Sequence, residues 1–107
     1  MSIRFNRKMS TQGGNNTTVR GSFRIANSLG LHLRPAKMLA NLTNRFESDI
    51  FIRKDSEEVN GKSIMGIIAL AAPKGALLRI TATGPDAREA VEAIGKLIES
   101  KFGEEDA

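Results

Sequence analysis

The only histidine of the chain lies in the segment Gly30-Leu31-His32-Leu33-Arg34-Pro35-Ala36, whose residue types are suited to handling a phosphoryl group. Pro35 follows His32 and precedes a helical apolar pattern, and proline is favoured in the first turn of a helix. His32 is therefore expected at a helix start, where free backbone N–H groups and the positive end of the helix dipole attract anions. An imidazole at such a position could carry a phosphoryl group.

A reversible phosphoryl carrier needs few residues, because phosphoryl transfer depends mainly on positioning and charge stabilisation. Its nucleophile must be neutral at physiological pH, and imidazole comes closest to that condition. A helix N-terminus disfavours imidazolium and then stabilises the bound phosphate dianion. Arg34, two residues after His32, is placed to pair with the phosphoryl oxygens. The alternative is a surface or capping histidine without chemistry.

Composition limits the chain to one small domain. Of its 107 residues, 40% are apolar and 5% aromatic, and every aromatic residue is Phe, which predicts a mainly aliphatic core. The absence of cysteine excludes disulfides and thiol chemistry, and with a single histidine we expect neither a metal site nor a cofactor. Without a clustered pair of carboxylates, a free-standing enzyme is the weakest hypothesis.

The sequence predicts neither a membrane segment nor export. The most apolar stretch, Ile64–Ala72, has nine residues before Pro73 ends it, which is too short for a membrane span. No apolar run follows the basic residues near the N-terminus, so no secretory signal is predicted. We therefore expect a cytoplasmic protein without membrane insertion.

Residues 1–18 are interpreted as a flexible, basic tail, and residues 19–107 as the folded domain. The tail has three basic residues, no acidic residue and a polar centre at Gly13-Gly14-Asn15-Asn16. Met9 leaves open a later translation start. Proteins that bind nucleic acids usually carry a basic surface with aromatic residues among the basic ones. A basic tail on a nearly neutral domain does not have this pattern, so no nucleic-acid partner is expected.

From residue 19 the hydrophobic periodicity predicts the element order βαββαβα. The strands are placed around Val19–Ile25, Ile50–Ile52, Glu58–Asn60 and Leu78–Ala82, and the helices at about Leu33–Phe46, Ile64–Leu70 and Ala87–Phe102. Asp86 and Glu89 have the spacing of a capping box. The acidic residues Glu104 to Asp106 are expected to fray. The predicted fold is an α+β open-faced sandwich, with three helices on one face of a four-stranded, mainly antiparallel sheet.

Ser63 precedes the short apolar helix and is a good N-cap. Ile64, Met65, Ile67 and Ile68 cannot all face the core of so short a helix, so we expect an exposed apolar patch, a feature typical of a partner surface. Ile67 and Leu70 are assigned to the core. The residues Lys37, Lys62 and Arg34 would surround the patch with positive charge that steers acidic partners. The alternative for each lysine is an ordinary solvated charge, and for Lys37 this alternative has equal weight.

Two segments resemble the signatures of one known family. Asn27-Ser28-Leu29-Gly30-Leu31-His32-Leu33-Arg34-Pro35-Ala36 is similar to the active-site signature of HPr, the phosphocarrier of the bacterial phosphoenolpyruvate-dependent sugar phosphotransferase system. Val59-Asn60-Gly61-Lys62-Ser63-Ile64-Met65-Gly66-Ile67 resembles the segment around the regulatory serine of the same family. The separation of the two motifs and the βαββαβα order also agree, and the resemblance runs from about Val19 to Phe102.

The resemblance implies that His32 takes phosphate through Nδ1 from phosphorylated enzyme I and passes it to enzyme IIA domains. Arg34 would contact the phosphate, Pro35 would fix the first turn, and the backbone N–H groups of Leu33 and Arg34 would cradle the anion. Leu33 departs from the small residue or Thr usual in the family and is expected to narrow partner choice. Lys37, Lys62, Ile64, Met65 and Ile68 would form the partner surface.

Ser63 has two interpretations that remain open. As an N-cap it satisfies the first turn of its helix. As a regulatory site it would be phosphorylated by an HPr kinase/phosphorylase, as in those family members that such an enzyme serves. The added phosphate would place nearly two negative charges on a docking surface.

The leading hypothesis is therefore a phosphohistidine carrier, a monomer that works with enzyme I and enzyme II and catalyses no complete reaction alone. One alternative is a regulatory HPr paralogue, of the nitrogen-type system or of one lacking sugar permeases, which signals to a kinase or transcription regulator. Another is a binding module that has kept only the fold. That interpretation leaves the presence of His32, Arg34, Pro35 and Ser63 together unexplained.

Overall fold

The structure, a computed structural model, describes residues 2–5 and 17–104. In chain order the elements are β1 (Ser2–Phe5), β2 (Thr18–Arg24), α1 (Leu33–Thr43), β3 (Asp49–Lys54), β4 (Glu57–Asn60), α2 (Ile64–Ala69), β5 (Leu77–Thr83), α3 (Ala87–Glu99) and a 3₁₀ turn (Lys101–Gly103). From β2 onward this is the predicted βαββαβα order. None of the helices within the described ranges has the length and apolarity needed to span a bilayer.

The strands form one antiparallel sheet in the order β1-β2-β5-β3-β4. Strand β5 lies in the middle and pairs with β2 on one side and β3 on the other. A two-residue turn, Asp55-Ser56, connects β3 to β4. The α+β open-faced sandwich is confirmed.

Strand β1 was not predicted, and the interpretation of residues 1–18 as a flexible tail is wrong for Ser2–Phe5. This segment pairs with β2 in antiparallel register, from Ser2 opposite Ser22 to Phe5 opposite Val19. Without it β2 would be an edge strand with a row of unpaired N–H and C=O groups. An apolar alternation over only four residues is too short to predict a strand beside a long polar segment. Of the rest of the predicted tail, Thr18 is the first residue of β2, and residues 6–16, including Met9, lie outside the described residues.

The core lies between the sheet and its helices. Inward-facing strand residues alternate with exposed ones, and the buried side chains include Val19, Phe23, Ile50, Ile52, Leu78, Ile80 and Ala82. Helix α3 packs on β2 and β5 through an apolar stripe that includes Ala87, Ala90, Val91, Ile94 and Ile98. Its close approach requires Gly95, because a Cβ there would lie 2.4 Å from the Phe23 ring. Ile67 and Leu70 of the α2 segment are buried, as predicted.

Helix α1 ends at Thr43, three residues before the predicted end. The Thr43 hydroxyl donates to the backbone carbonyl of Gly61 at 2.7 Å, and the Asn44 side chain donates to those of Ala40 and Lys62. Side-chain hydrogen bonds of this kind compete with continuation of a helix. They also connect the end of α1 to the residues just before α2.

The predicted capping box at Asp86 and Glu89 is wrong. Asp86 is the N-cap residue of α3, but its side chain makes no capping hydrogen bond. Its carboxylate instead accepts from the backbone N–H groups of Glu47 and Ser48 and from the Ser48 hydroxyl, the last at 2.6 Å. Desolvation raises the pKa of Asp86, but the hydrogen bonds outweigh it and hold that pKa below its usual value. The carboxylate thus anchors the loop after α1 to the start of α3.

Replacing Asp86 should therefore destabilise the fold in a pH-dependent way. We expect Asp86→Asn to lower the free energy of unfolding by about 2 kcal/mol at pH 7, because charged hydrogen-bond acceptors contribute more than neutral ones. Since the folded pKa lies below the ordinary 3.8, this contribution is present above pH 3.8 and is lost as the pH falls through the folded pKa. Urea denaturation at pH 7 and pH 3 measures both values.

The exposed Asp49 provides the control, and Asp49→Asn should change stability little at either pH. An equal loss in Asp86→Asn at high and low pH would contradict the role of the charge.

Candidate functional site

The turn before His32 is held by a close approach between two backbone segments. Gly30 has φ +69°, and a Cβ at this residue would lie 2.4 Å from the carbonyl oxygen of Ala72. The next residue, Leu31, donates its N–H to that same oxygen at 2.9 Å. Glycine is therefore required both for its backbone conformation and for space. This contact fixes the direction in which the chain enters α1.

His32 is the N-cap residue of α1, as predicted. Its backbone is extended (φ −83°, ψ −171°), and its carbonyl accepts the first helical hydrogen bond, from Ala36, at 3.0 Å. The N–H groups of Leu33 and Arg34 follow in the first turn, where a helix offers no internal acceptor. Pro35 is buried in the same turn. The helix start thus has the free donors and dipole orientation that favour an anion.

A carboxylate from the other end of the chain completes the site. Glu104 lies 2.8 Å from His32 Nε2 and 3.2 Å from Arg34 Nη1, both measured to its Oε2. Its other oxygen, Oε1, accepts from the buried Asn27 side chain at 3.0 Å. The Glu104 side chain is only 15% exposed, against 38% for His32 and 55% for Arg34.

These partners keep Glu104 ionised. Desolvation disfavours the charged carboxylate, but the hydrogen bonds from Asn27 and His32 and the electrostatic interactions with His32 and Arg34 outweigh it, so the pKa of Glu104 is lowered from the usual 4.5. An ionised carboxylate accepts the Nε2 proton of His32 and leaves Nδ1 as the unprotonated nitrogen of the neutral ring. No residue in the described part of the chain hydrogen-bonds to Nδ1.

The prediction that Glu104 frays is wrong, because the preceding residues anchor it. Phe102 is fully buried, and its carbonyl accepts a hydrogen bond from Arg34 at 3.2 Å. Lys101, Phe102 and Gly103 all have positive φ, so the chain reverses after α3 and returns towards His32. Sequence reasoning missed Glu104 because an acidic chain end normally indicates fraying. Phe102 at the end of the apolar stripe was the one available signal.

His32 and Arg34 open onto a cavity of about 430 Å³ along one side of α1. Leu33, Lys37, Met38 and Asn41 form the rest of its lining. Leu33 is 58% exposed, so the residue that departs from the family pattern is at the surface beside the histidine. A partner that reaches His32 would meet both apolar and positively charged side chains here.

The second motif lies on α2, which packs against α1. The Ser63 hydroxyl accepts from the Gly66 N–H at 3.0 Å, which confirms the predicted N-cap. Met65 is 75% exposed, while Ile64 and Ile68 are partly buried against the core. The Lys62 ammonium group donates to the carbonyl of Phe46 at 2.6 Å, so this side chain also braces the end of α1.

No group of three or more metal-ligating side chains occurs among the described residues. The arrangement around His32 comprises an imidazole, a carboxylate on its Nε2, a guanidinium group and a helix start. The imidazole, the guanidinium group and the helix start can each interact directly with a phosphoryl group, while the carboxylate acts through the imidazole ring.

Comparisons with known proteins identify the family of the chain. The family model described as the PTS HPr component phosphorylation site matches residues 19–100. The phosphocarrier protein HPr of Treponema pallidum is 43% identical over 82 residues, which cover 77% of this chain and 93% of that protein. A multiphosphoryl transfer protein of Haemophilus influenzae is 43% identical over 87 residues, covering 78% of this chain but 17% of that longer protein.

A solved structure agrees as well. The crystal structure of HPr from Thermoanaerobacter tengcongensis superposes with a TM-score of 0.78 at 44% sequence identity, and the match covers 80% of this chain and 97% of that one. Sequence and fold thus agree over nearly the whole length of the Treponema pallidum and Thermoanaerobacter tengcongensis proteins. The chain belongs to the HPr family of phosphocarrier proteins of the phosphotransferase system.

Proposed function

We propose that His32 accepts a phosphoryl group through Nδ1 from phosphorylated enzyme I and passes it to an enzyme IIA domain. The observation that carries this proposal is the hydrogen bond between His32 Nε2 and Glu104, which leaves Nδ1 free at the start of α1. The Nδ1 lone pair attacks phosphorus, the bond to the donor breaks, and the phosphoryl group becomes attached to the ring. Transfer to the acceptor reverses these steps.

Stabilisation of the charge that develops on the ring favours attack through Nδ1. A neutral ring that bonds to phosphorus through Nδ1 while keeping its Nε2 proton becomes positively charged. The Glu104 carboxylate stabilises that charge through the 2.8 Å hydrogen bond. Because Nδ1 and Nε2 lie on different sides of the ring, Glu104 remains separated from the incoming phosphate. On the Nδ1 side we assign the phosphate contacts to the N–H groups of Leu33 and Arg34 and to the Arg34 guanidinium group.

The direct test is phosphorylation by enzyme I. Incubated with phosphoenolpyruvate, magnesium and purified enzyme I, the chain should gain one acid-labile phosphate, measured as intact mass at neutral pH. His32→Ala should gain none and should remain folded, because the 38% exposed ring packs little into the core. Addition of a purified enzyme IIA should then remove the phosphate from the native chain.

Each other outcome has a distinct meaning. Absence of phosphate on the native chain would overturn the carrier proposal. A phosphate that enzyme IIA proteins leave in place would overturn the sugar-transport role and favour a regulatory carrier.

Glu104 is proposed as a positioning residue. We expect Glu104→Ala to slow phosphoryl acceptance about tenfold, because the ring loses both its fixed orientation and its charge partner. Glu104→Gln can still accept from Nε2 through its amide oxygen and should lie between Glu104→Ala and the native chain. Rapid-quench measurement with phosphorylated enzyme I provides the rates. If both variants matched the native rate, Glu104 would have only a structural role.

Ser63 is proposed as the regulatory site of an ATP-dependent HPr kinase. A phosphate there would remain favourable for α2, since it lies at the start of that helix, but it would place negative charge beside the exposed Met65. The proposed docking surface also includes Lys37, Lys62, Ile64 and Ile68, which a partner carrying acidic residues would approach. Phosphorylation would therefore weaken docking without unfolding the domain.

A pair of capping variants separates charge from structure at this position. Both Asp and Asn are good N-caps, so Ser63→Asp and Ser63→Asn should each preserve α2. We expect Ser63→Asp to raise the KM of enzyme I for this chain several-fold, because the added charge opposes docking, and Ser63→Asn to leave the KM near the native value. Equal effects of the two substitutions would contradict the electrostatic switch.

A further inference from the structure

The outer face of the sheet carries a cluster of arginines that the phosphohistidine chemistry does not use. The helices cover the other face, where the core residues of the strands lie. On the face that no helix of the described residues covers, Arg20 of β2, Arg79 of β5 and Arg53 of β3 are all exposed. They occupy three neighbouring strands, which lie about 4.8 Å apart in a sheet. We call these three residues the arginine cluster.

The register places like charges beside one another. Arg53 lies directly opposite Arg79 across β3 and β5. Arg20 is the diagonal neighbour of Arg79, because Ser22 is opposite Arg79 and Thr81 is opposite Arg20. Like charges directly opposite in a sheet are destabilising. An anion bound between these residues would offset the repulsion.

The described residues offset only part of the charge of the cluster, through Glu58 directly opposite Arg53 on β4. None of its three guanidinium groups forms a salt bridge or a hydrogen bond with another residue in ranges 2–5 and 17–104. Arg24 on the same face differs, since its guanidinium group donates to the carbonyl of Gly75 at 2.9 Å. The cluster therefore has free donors that can be satisfied only from outside.

The cluster surrounds a shallow cavity of about 240 Å³. The hydroxyl-bearing Ser22 and Thr81 lie between the arginines, and Glu58 lies at the rim. Guanidinium groups bind phosphate oxygens in pairs, and hydroxyl groups can donate to the remaining oxygens. A space of this size is suited to a small molecule, whereas a bound protein segment or helix would extend well beyond it.

Acidic residues limit the cluster along the sheet. Glu58 lies opposite Arg53 on β4, and the exposed Asp49 is on the same face of β3 as Arg53. An extended polyanion such as a nucleic acid needs a longer basic track, which these carboxylates interrupt. The charge pattern therefore favours a compact ligand with several negative charges.

We propose that the arginine cluster binds a small metabolite carrying two or more phosphate groups. The site is on the face of the sheet opposite the helices and shares no residue with the site at His32. Binding brings negative charge between Arg79 and its two arginine neighbours and removes their mutual repulsion. The ligand would therefore also stabilise the sheet.

Amide NMR titration with inorganic pyrophosphate and tripolyphosphate tests the proposal in the full-length chain. The titrations use constant ionic strength set with NaCl, and orthophosphate serves as the single-phosphate comparison. Shifts should centre on residues 20–22, 53 and 79–81, and tripolyphosphate should bind more tightly than orthophosphate. Arg79→Gln should weaken tripolyphosphate binding at least tenfold, while His32→Ala should leave it unchanged.

Arg45→Gln is the matched control. It removes the same charge from an exposed residue away from the cluster and should leave binding within about twofold of the native value. Without ligand, Arg79→Gln should have a melting temperature equal to or above that of the native chain, because it relieves the repulsion with Arg53. This second measurement shows directly whether the variant is folded.

Three results would overturn the proposal. Shifts confined to the start of α1 would assign the phosphate binding to the His32 site alone. An equal loss of binding in Arg45→Gln and Arg79→Gln would indicate attraction by net charge without a site. Tighter binding of an acidic peptide or a DNA oligonucleotide than of tripolyphosphate, with the same shifts, would assign the surface to a macromolecule.

Discussion

The site depends on one carboxylate that joins the two ends of the folded domain. Glu104 accepts from Asn27 before α1, from His32 at its start and from Arg34 in its first turn. Three donors hold one acidic side chain, and they keep it charged although it is largely buried. The imidazole ring of His32, its tautomer and the Arg34 guanidinium group are all positioned by this contact. Few other residues are then needed around His32.

That carboxylate is itself positioned by backbone geometry far along the chain. Phe102 fills the end of the core, and the left-handed residues around it turn the chain back over α1. Backbone in this conformation persists only where surrounding contacts impose it. Here the buried ring and the hydrogen bond from Arg34 to the Phe102 carbonyl provide them. The residues that pack the end of the core therefore also position the site at His32.

Local patterns predicted most of the fold, and the failures have a common cause. The core faces of the strands, the start of α1 at His32 and the cap at Ser63 follow from residue types within a few positions. Glu104 and Asp86 were misassigned because their partners are distant in sequence, Asp86 bonding Ser48 in place of its own helix. Strand β1 was missed for the same reason, because its four residues form a strand only by pairing with the edge of β2. The hydrophobic periodicity of a segment cannot reveal contacts with residues that are distant in the sequence.

Strand β1 also affects how copies of the chain meet. An uncovered edge strand is a template for pairing with another chain, and long edges promote association and aggregation. β1 covers the seven-residue β2, so that its own four residues become the outer strand on that side. The opposite edge is β4, also four residues long, which carries Glu57 and Glu58. Both edge strands of the described sheet are thus short, and β1 protects the longer β2 from pairing with a strand of another chain.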